Sequence, residues 1–245
     1  MNDSLGDRMK EYEYNTRNFL IKRVPVIIRL DGKAFHTFTR GMEKPFDTML
    51  QSVMQSTMKE LCEQIQGAIF GYTQSDEITI VLYAPDPQSE IWFNSNIQKM
   101  VSVSASIATL TFNKLFKLFD VDKKYEKKYD TALFDSRVFN IPFDEVNNCL
   151  IWRQQDATKN SISAAAQFYF SHKSLQGLTG KEKQEKLWTE ANINWNDYMT
   201  VFKRGAACKK VEKEITTENG TTTRMKWEID LEMPILTEDR KYAGF

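Results

Sequence analysis

The chain has 245 residues, 41% hydrophobic and 27% charged, enough to bury one large core or a core with an appended subdomain. Its 33 basic and 33 acidic residues cancel, which excludes a globally cationic surface, so a nucleic-acid partner would have to be met by a local patch. Cys62, Cys149 and Cys208 are widely spaced, with neither zinc nor disulfide-framework spacing; Met1 to Lys22 is polar, and no run of about 18 apolar residues occurs, so a reducing cytoplasm is expected, with neither export nor a membrane span.

Met1 to Asn18 is a charged, helix-prone lead-in. Val24-Pro25-Val26-Ile27-Ile28-Arg29-Leu30 is a compact β-branched run ending at Asp31-Gly32, as a buried strand with a turn behind it would. Asp47 precedes Met49, Leu50, Val53, Met54, Met58, Leu61, Cys62 and Ile65, whose spacing draws one helical stripe with Asp47 as N-cap. Ala68 to Tyr72 and Ile78 to Tyr83 form two strand-like runs joined by Thr73-Gln74-Ser75-Asp76-Glu77, a hairpin with acids at its tip. After Ala84-Pro85-Asp86-Pro87 a second helical pattern runs from Ile91 to Phe116, and Val138 to Pro142 supplies a fourth strand.

The order strand, helix, strand, strand, helix, strand is the split βαβ, ferredoxin-like arrangement of an α+β fold, an antiparallel sheet with helices on one face. It allows Asp31 and Asp76 to meet at one sheet edge. Residues 1–142 are therefore expected to form a palm-like domain, and 143–245 an appended region. That region begins with a helix from about Asp144 to Phe170, continues through a polar stretch from Ser174 to Lys186 and a short helix near Trp188, and ends in a β-ribbon. Val211 to Ile215 and Thr222 to Trp227 are the ribbon strands, turning at Glu218-Asn219-Gly220.

Two carboxylates from separate strand ends suit Mg²⁺, and the Gly32 carbonyl is a third donor that a glycine brings close. Glu77 alternates with Asp76, so it ranks behind it, as an outer or second-ion acid. Lys33, His36 and Lys44 follow the first acid, beside a turn whose N–H groups suit phosphate oxygens. The other histidine, His172, is distant, so no histidine-based metal site is expected, and no GxxxxGK[ST] or GxGxxG loop occurs. Lys203-Arg204 and Lys123 to Tyr129 are basic runs with nearby aromatics, as phosphate tracking needs, although a solvated face reads the same way. The run from Trp152 to Asp156 has hydrogen-bonding groups suited to RNA, a neighbouring subunit or simple packing.

Taken in order, Arg29-Leu30-Asp31-Gly32-Lys33-Ala34-Phe35-His36, Lys44-Pro45, Gly71-Tyr72-Thr73-Gln74-Ser75-Asp76-Glu77, Phe134-Asp135-Ser136-Arg137, Trp152-Arg153-Gln154-Gln155-Asp156 and Lys203-Arg204-Gly205 resemble the histidine-tRNA guanylyltransferase superfamily, and its guanylyltransferase-like branch in particular. The resemblance implies a polymerase palm with two Mg²⁺ ions on Asp31, Asp76 and Gly32, with Glu77 among the catalytic acids. It also implies triphosphate contacts from Lys33, Ala34, Phe35, His36, Lys44 and Ser75, with ATP or GTP as activating and substrate nucleotides. Arg153, Asn160, Lys203 and Arg204 are the expected RNA contacts, tRNA the partner, and a homotetramer the assembly.

Where guanylyltransferases that mature histidine tRNA usually carry His-Ile-Asn-Asn-Leu-Tyr-Asn, this chain has Thr158-Lys159-Asn160-Ser161-Ile162-Ser163-Ala164, keeping only Asn160. That departure favours templated 3′-to-5′ repair of truncated tRNA 5′ ends over dedicated guanylate addition. A palm-type nucleotide cyclase and a noncatalytic RNA-binding protein are the remaining alternatives.

Overall fold

The computed structural model describes residues 4–217 and 220–245. After the exposed α1 (Leu5–Tyr14), the strand expected to end at Leu30 is β1 (Val26–Gly32), which carries Asp31 within its last turn of pairing. Both of its faces are covered, which explains its unbroken apolar run. Val26, Ile28 and Leu30 face one core, while Ile27 faces another. A short α2 (Phe35–Phe38) follows, then α3 (Thr48–Gln64), capped as expected by Asp47, whose carboxylate accepts from Leu50 N at 2.9 Å.

The hairpin is β2 (Ala68–Gln74) and β3 (Glu77–Leu82), and pairing reaches Gln74↔Glu77, so the tip shortens to Ser75-Asp76. The second long helix begins later than its apolar pattern does. Ile91 and Trp92 are buried by a separate tight turn in which Phe93 and Asn94 have positive φ, and Asn96 then caps α4 (Ile97–Phe119). The fourth strand, β4 (Phe134–Asn140), starts four residues before the expected one, because its Asp135 and Arg137 interrupt the apolar signal.

α5 (Val146–Tyr169) is the expected long helix, followed by the one-turn α6 (His172–Leu175). The polar stretch after Ser174 largely becomes α7 (Gly180–Ala191), opened by a Thr179–Glu182 capping box. Short α8 (Thr200–Arg204) leads into β5 (Ala206–Thr217) and β6 (Gly220–Asp230). The expected ribbon is present but does not stand apart. β5 pairs with β2, so all six strands form one antiparallel sheet in the order β4-β1-β3-β2-β5-β6. The expected turn at Glu218-Asn219 lies outside the described residues.

α3 and α4 share one face, where Met54, Met58, Leu61, Phe112 and Phe116 meet Ile28, Leu30, Ile78 and Ile80. On the opposite face Val146, Leu150 and Ile151 of α5 cover Ile27, Phe70, Tyr72 and Val81. The second half of α5 packs with α6 and α7 through Ile162, Ala165, Leu175 and Leu187. Among the described residues no helix is long and apolar enough to cross a membrane.

Candidate active site

The register places three acids side by side at one end of the sheet: Asp31 on β1 stands opposite Glu77 on β3 and Asp135 on β4. Like charges so placed repel, and two of the three are offset by arginine. Asp135 is paired with Arg137 at 3.1 Å. Both oxygens of Glu77 accept from Arg153 of α5, Nε and Nη2, each at 2.7 Å. Asp31 has no cationic partner among the described residues.

Asp76 joins Asp31 from the hairpin tip. Ser75 takes φ 50°, which reverses the chain in two residues, and Gly32 N donates to Asp76 O at 3.0 Å, tying the tip to the end of β1. The Asp76 carboxyl accepts from Ser75 Oγ, at 3.0 Å, and from its own backbone N–H, and no cation neutralises it among the described residues. Burial pushes its pKa up, and the nearby Asp31 charge pushes the same way. The same end of the sheet therefore holds two carboxylates with arginine partners and two without.

The turn after Asp31 is fixed from below. A Cβ on Gly32 would lie 2.3 Å from the Phe35 ring, and that ring packs against Phe38, Phe112 and Phe134. Of the expected phosphate contacts, Phe35 is thus a core side chain with only its amide available. Ala34 adopts φ 55°, and the first helical bond of α2 runs from Thr37 N to Ala34 O, leaving the amides of Ala34, Phe35 and His36 ahead of the ladder. Lys33 N is spent on Leu133 O at 2.8 Å, while the side chains of Lys33 and His36 are exposed.

Two cavities adjoin these groups. One of about 350 Å³ is lined by Gly32, Ala34, His36, Ser75 and Asp76. The other, about 240 Å³, lies between Lys44, Phe46, Gln51, Asn160, Ala164 and Phe202. Thr39, Leu50 and Ser75 line both, so they form one cleft with Gly32 and Asp76 at one end.

Residues 6–142 match the model of the tRNAHis guanylyltransferase family. The chain belongs to that family. It is 30% identical to an uncharacterized protein, R259, of Acanthamoeba polyphaga mimivirus, over 89% of this chain and 80% of that one. The tRNA(His) guanylyltransferase of Saccharomyces cerevisiae is 27% identical over 79% of this chain and 86% of its own. A bacterial tRNA(His) guanylyltransferase-like protein solved with ATP superposes with a TM-score of 0.85 at 44% identity, covering 98% of this chain and 97% of that one. A second such protein, solved with GTP, gives 0.82 at 41%, covering 99% and 100%. The protein is accordingly a nucleotidyltransferase of the tRNAHis guanylyltransferase family.

Arg153 holds both oxygens of Glu77, so Glu77 stands behind Asp76, in the outer place its alternation along the strand implies. Arg153 is not an RNA-facing residue: its side chain is 9% exposed and bridges Glu77 and Asp156, the latter at 2.9 Å. Burial alone would lower its pKa, and the hydrogen bonds it donates to Glu77 and Asp156, with their negative charges, outweigh that and raise it. Lys203 and Arg204 are half-buried and partly committed, Lys203 Nζ to Asn196 O at 2.5 Å and Arg204 Nε to Met233 O at 3.0 Å. Asn160 is exposed and lines the cleft together with Ser161 and Ala164 of the altered segment. Sequence reasoning missed Thr39, Phe46, Gln51 and Phe202. Phe46 adjoins Lys44-Pro45 and was within reach, whereas Phe202 comes from α8, about 150 residues along the chain, with no motif to mark it.

Among the described residues no three His, Cys, Asp or Glu side chains form a metal cage. Mg²⁺ does not require one, since one or two carboxylates suffice when water and substrate phosphates complete the shell. The all-oxygen set of Asp31, Asp76 and the Gly32 carbonyl fits that chemistry.

Proposed function

We propose that the protein adds nucleotides in the 3′-to-5′ direction to the 5′ end of truncated tRNA, selecting them by pairing with the opposite strand. The observation that carries this reading is the pair Asp31 and Asp76, left without a cationic partner among the described residues beside the cleft that Gly32, Ser75 and Asp76 line. In the first step the tRNA 5′-monophosphate attacks the α-phosphorus of ATP or GTP and pyrophosphate leaves. In the second, the 3′-hydroxyl of an incoming nucleotide attacks the activated 5′ phosphate and the nucleoside monophosphate leaves. Asp31, Asp76 and Gly32 would hold two Mg²⁺ ions, which stabilise charge on phosphorus oxygens and favour the attacking alkoxide. The amides of Ala34, Phe35 and His36, with Lys33, Lys44 and Ser75, would bind and orient the triphosphate. The two bacterial relatives solved with ATP and GTP support the nucleotide assignment.

Addition of one untemplated guanylate to histidine tRNA is the second reading, favoured by the names of the curated relatives. The segment Thr158 to Ala164 argues against it, because Asn160, Ser161 and Ala164 form part of the cleft wall. Incubating the protein with a tRNA lacking its first 5′ residue and each triphosphate, then mapping the 5′ end, separates the two. We expect the nucleotide complementary to the opposing base, whichever base that is. Guanylate added regardless of the opposing base would overturn the repair reading.

The proposal extends to a cytoplasmic homotetramer. Three free thiols fit a reducing compartment, and the exposed Leu5, Met9 and Tyr12 of α1 provide an apolar stripe for another subunit. Light scattering gives the assembly size.

A further inference from the structure

The inner end of the cleft contains an uncommitted hydrogen-bonding group. Gln51 ends the first turn of α3, is 9% exposed and lines the 240 Å³ cavity. Its Nε2 is buried and has no hydrogen-bond partner among the described residues. Three nearby polar side chains are committed. Asp47 accepts from Leu50 N at 2.9 Å, Glu43 N at 3.1 Å and Tyr125 OH at 2.9 Å; Ser161 Oγ accepts from Trp195 Nε1 at 3.1 Å; Thr39 Oγ1 donates to Phe35 O at 2.8 Å. Buried amide donors are nearly always paired, so a lone one on a cavity wall calls for an explanation.

The surroundings specify the ligand. Phe46 and Phe202 stack on each other with centroids 4.9 Å apart and planes at 8°, and with Leu50, Ala157 and Ala164 they give the cavity an apolar wall. An aromatic, apolar wall beside an unpartnered amide suits a nucleobase. The terminal torsion of glutamine is broad, so the amide can turn toward a base without leaving its rotamer.

We propose that Gln51 is a specificity-determining residue that selects adenine in the activating nucleotide, Nε2 donating to N7 and Oε1 accepting from the 6-amino group; the nucleotide then added is still chosen by pairing. This rests on the cleft being a nucleoside triphosphate site. Glutamine matches that edge of adenine with two hydrogen bonds, whereas guanine presents two acceptors there, N7 and O6, and leaves Oε1 facing a lone pair.

The test is calorimetric binding of ATP, 7-deaza-ATP, GTP and inorganic tripolyphosphate to the full chain with Mg²⁺, using wild type, Gln51→Met and Asp76→Asn. Wild type should prefer ATP to GTP by about tenfold and lose about tenfold on 7-deaza-ATP, the worth of one buried hydrogen bond. Gln51→Met keeps the side-chain bulk; it should retain tripolyphosphate affinity while its ATP-to-GTP ratio falls to about one. A wild-type ratio near one, no 7-deaza loss in wild type, or a ratio unmoved in Gln51→Met would overturn the role of Gln51. If that happens while Asp76→Asn still loses ATP, only the Gln51 proposal fails. If wild type binds neither ATP nor tripolyphosphate, the triphosphate-site reading fails as well.

Discussion

Asp76 and Glu77 are neighbours in the chain, yet they belong to two regions built on different electrostatic terms. Glu77 turns toward α5, where Arg153 grips it with two bonds of 2.7 Å and both side chains are about nine-tenths buried. Asp76 turns to the cleft, where burial and Asp31 both push its carboxyl up and only a serine hydroxyl and its own backbone N–H answer it. The first region holds the sheet to its covering helix. The second keeps charge unneutralised where a ligand can use it, and the strand's alternation is what separates the two.

The largest expected effect breaks the cleft side. Asp31→Ala or Asp76→Ala should lower nucleotide addition by at least about a hundredfold, as loss of a group stabilising developing charge does, while circular dichroism shows an intact fold. Breaking the other side should move stability instead. Arg153→Ala leaves Glu77 an uncompensated buried charge and should cost about 3–5 kcal/mol in urea unfolding, and Glu77→Ala, which leaves Arg153 its bond to Asp156, should cost less. The pair Glu77→Leu with Arg153→Met should recover much of that, which sharpens the assignment of the pair to structure. Gly32→Ala touches the cleft and the aromatic core beneath it: the added methyl meets the Phe35 ring and should cost about 1–3 kcal/mol by overpacking, together with weaker triphosphate binding. Smallest, and outside the comparison, Thr179→Ala removes the α7 capping box for about 1 kcal/mol and should leave nucleotide affinity unchanged.

The strand and helix order was legible because each element carries its own period: the β-branched run of β1, the stripe and Asp47 cap of α3, the short hairpin. The meeting of Asp31 and Asp76 followed from that order. What local pattern could not show were the partnerships made across long separations. Arg153 reaches Glu77 over 76 residues, and nothing around Trp152 to Asp156 distinguishes an arginine facing RNA from one buried in an ion pair. The ribbon was found, but its junction with β2 rests on Ala206 to Lys209, which opens with two small residues that carry no strand signal of their own. Likewise the start of α4 was misplaced because Ile91 and Trp92 are buried for a reason other than helical periodicity.

The ring of Phe35 fills the space a side chain at position 32 would need and sits among Phe38, Phe112 and Phe134. The turn after Asp31 is thereby part of the same cooperative unit as the α4 core, not a loop that frays on its own. Its bonded amides, those of Gly32 and Lys33, should exchange with solvent only as fast as the core opens. On heating, nucleotide affinity should vanish with the near-ultraviolet signal of the packed aromatics, at one midpoint.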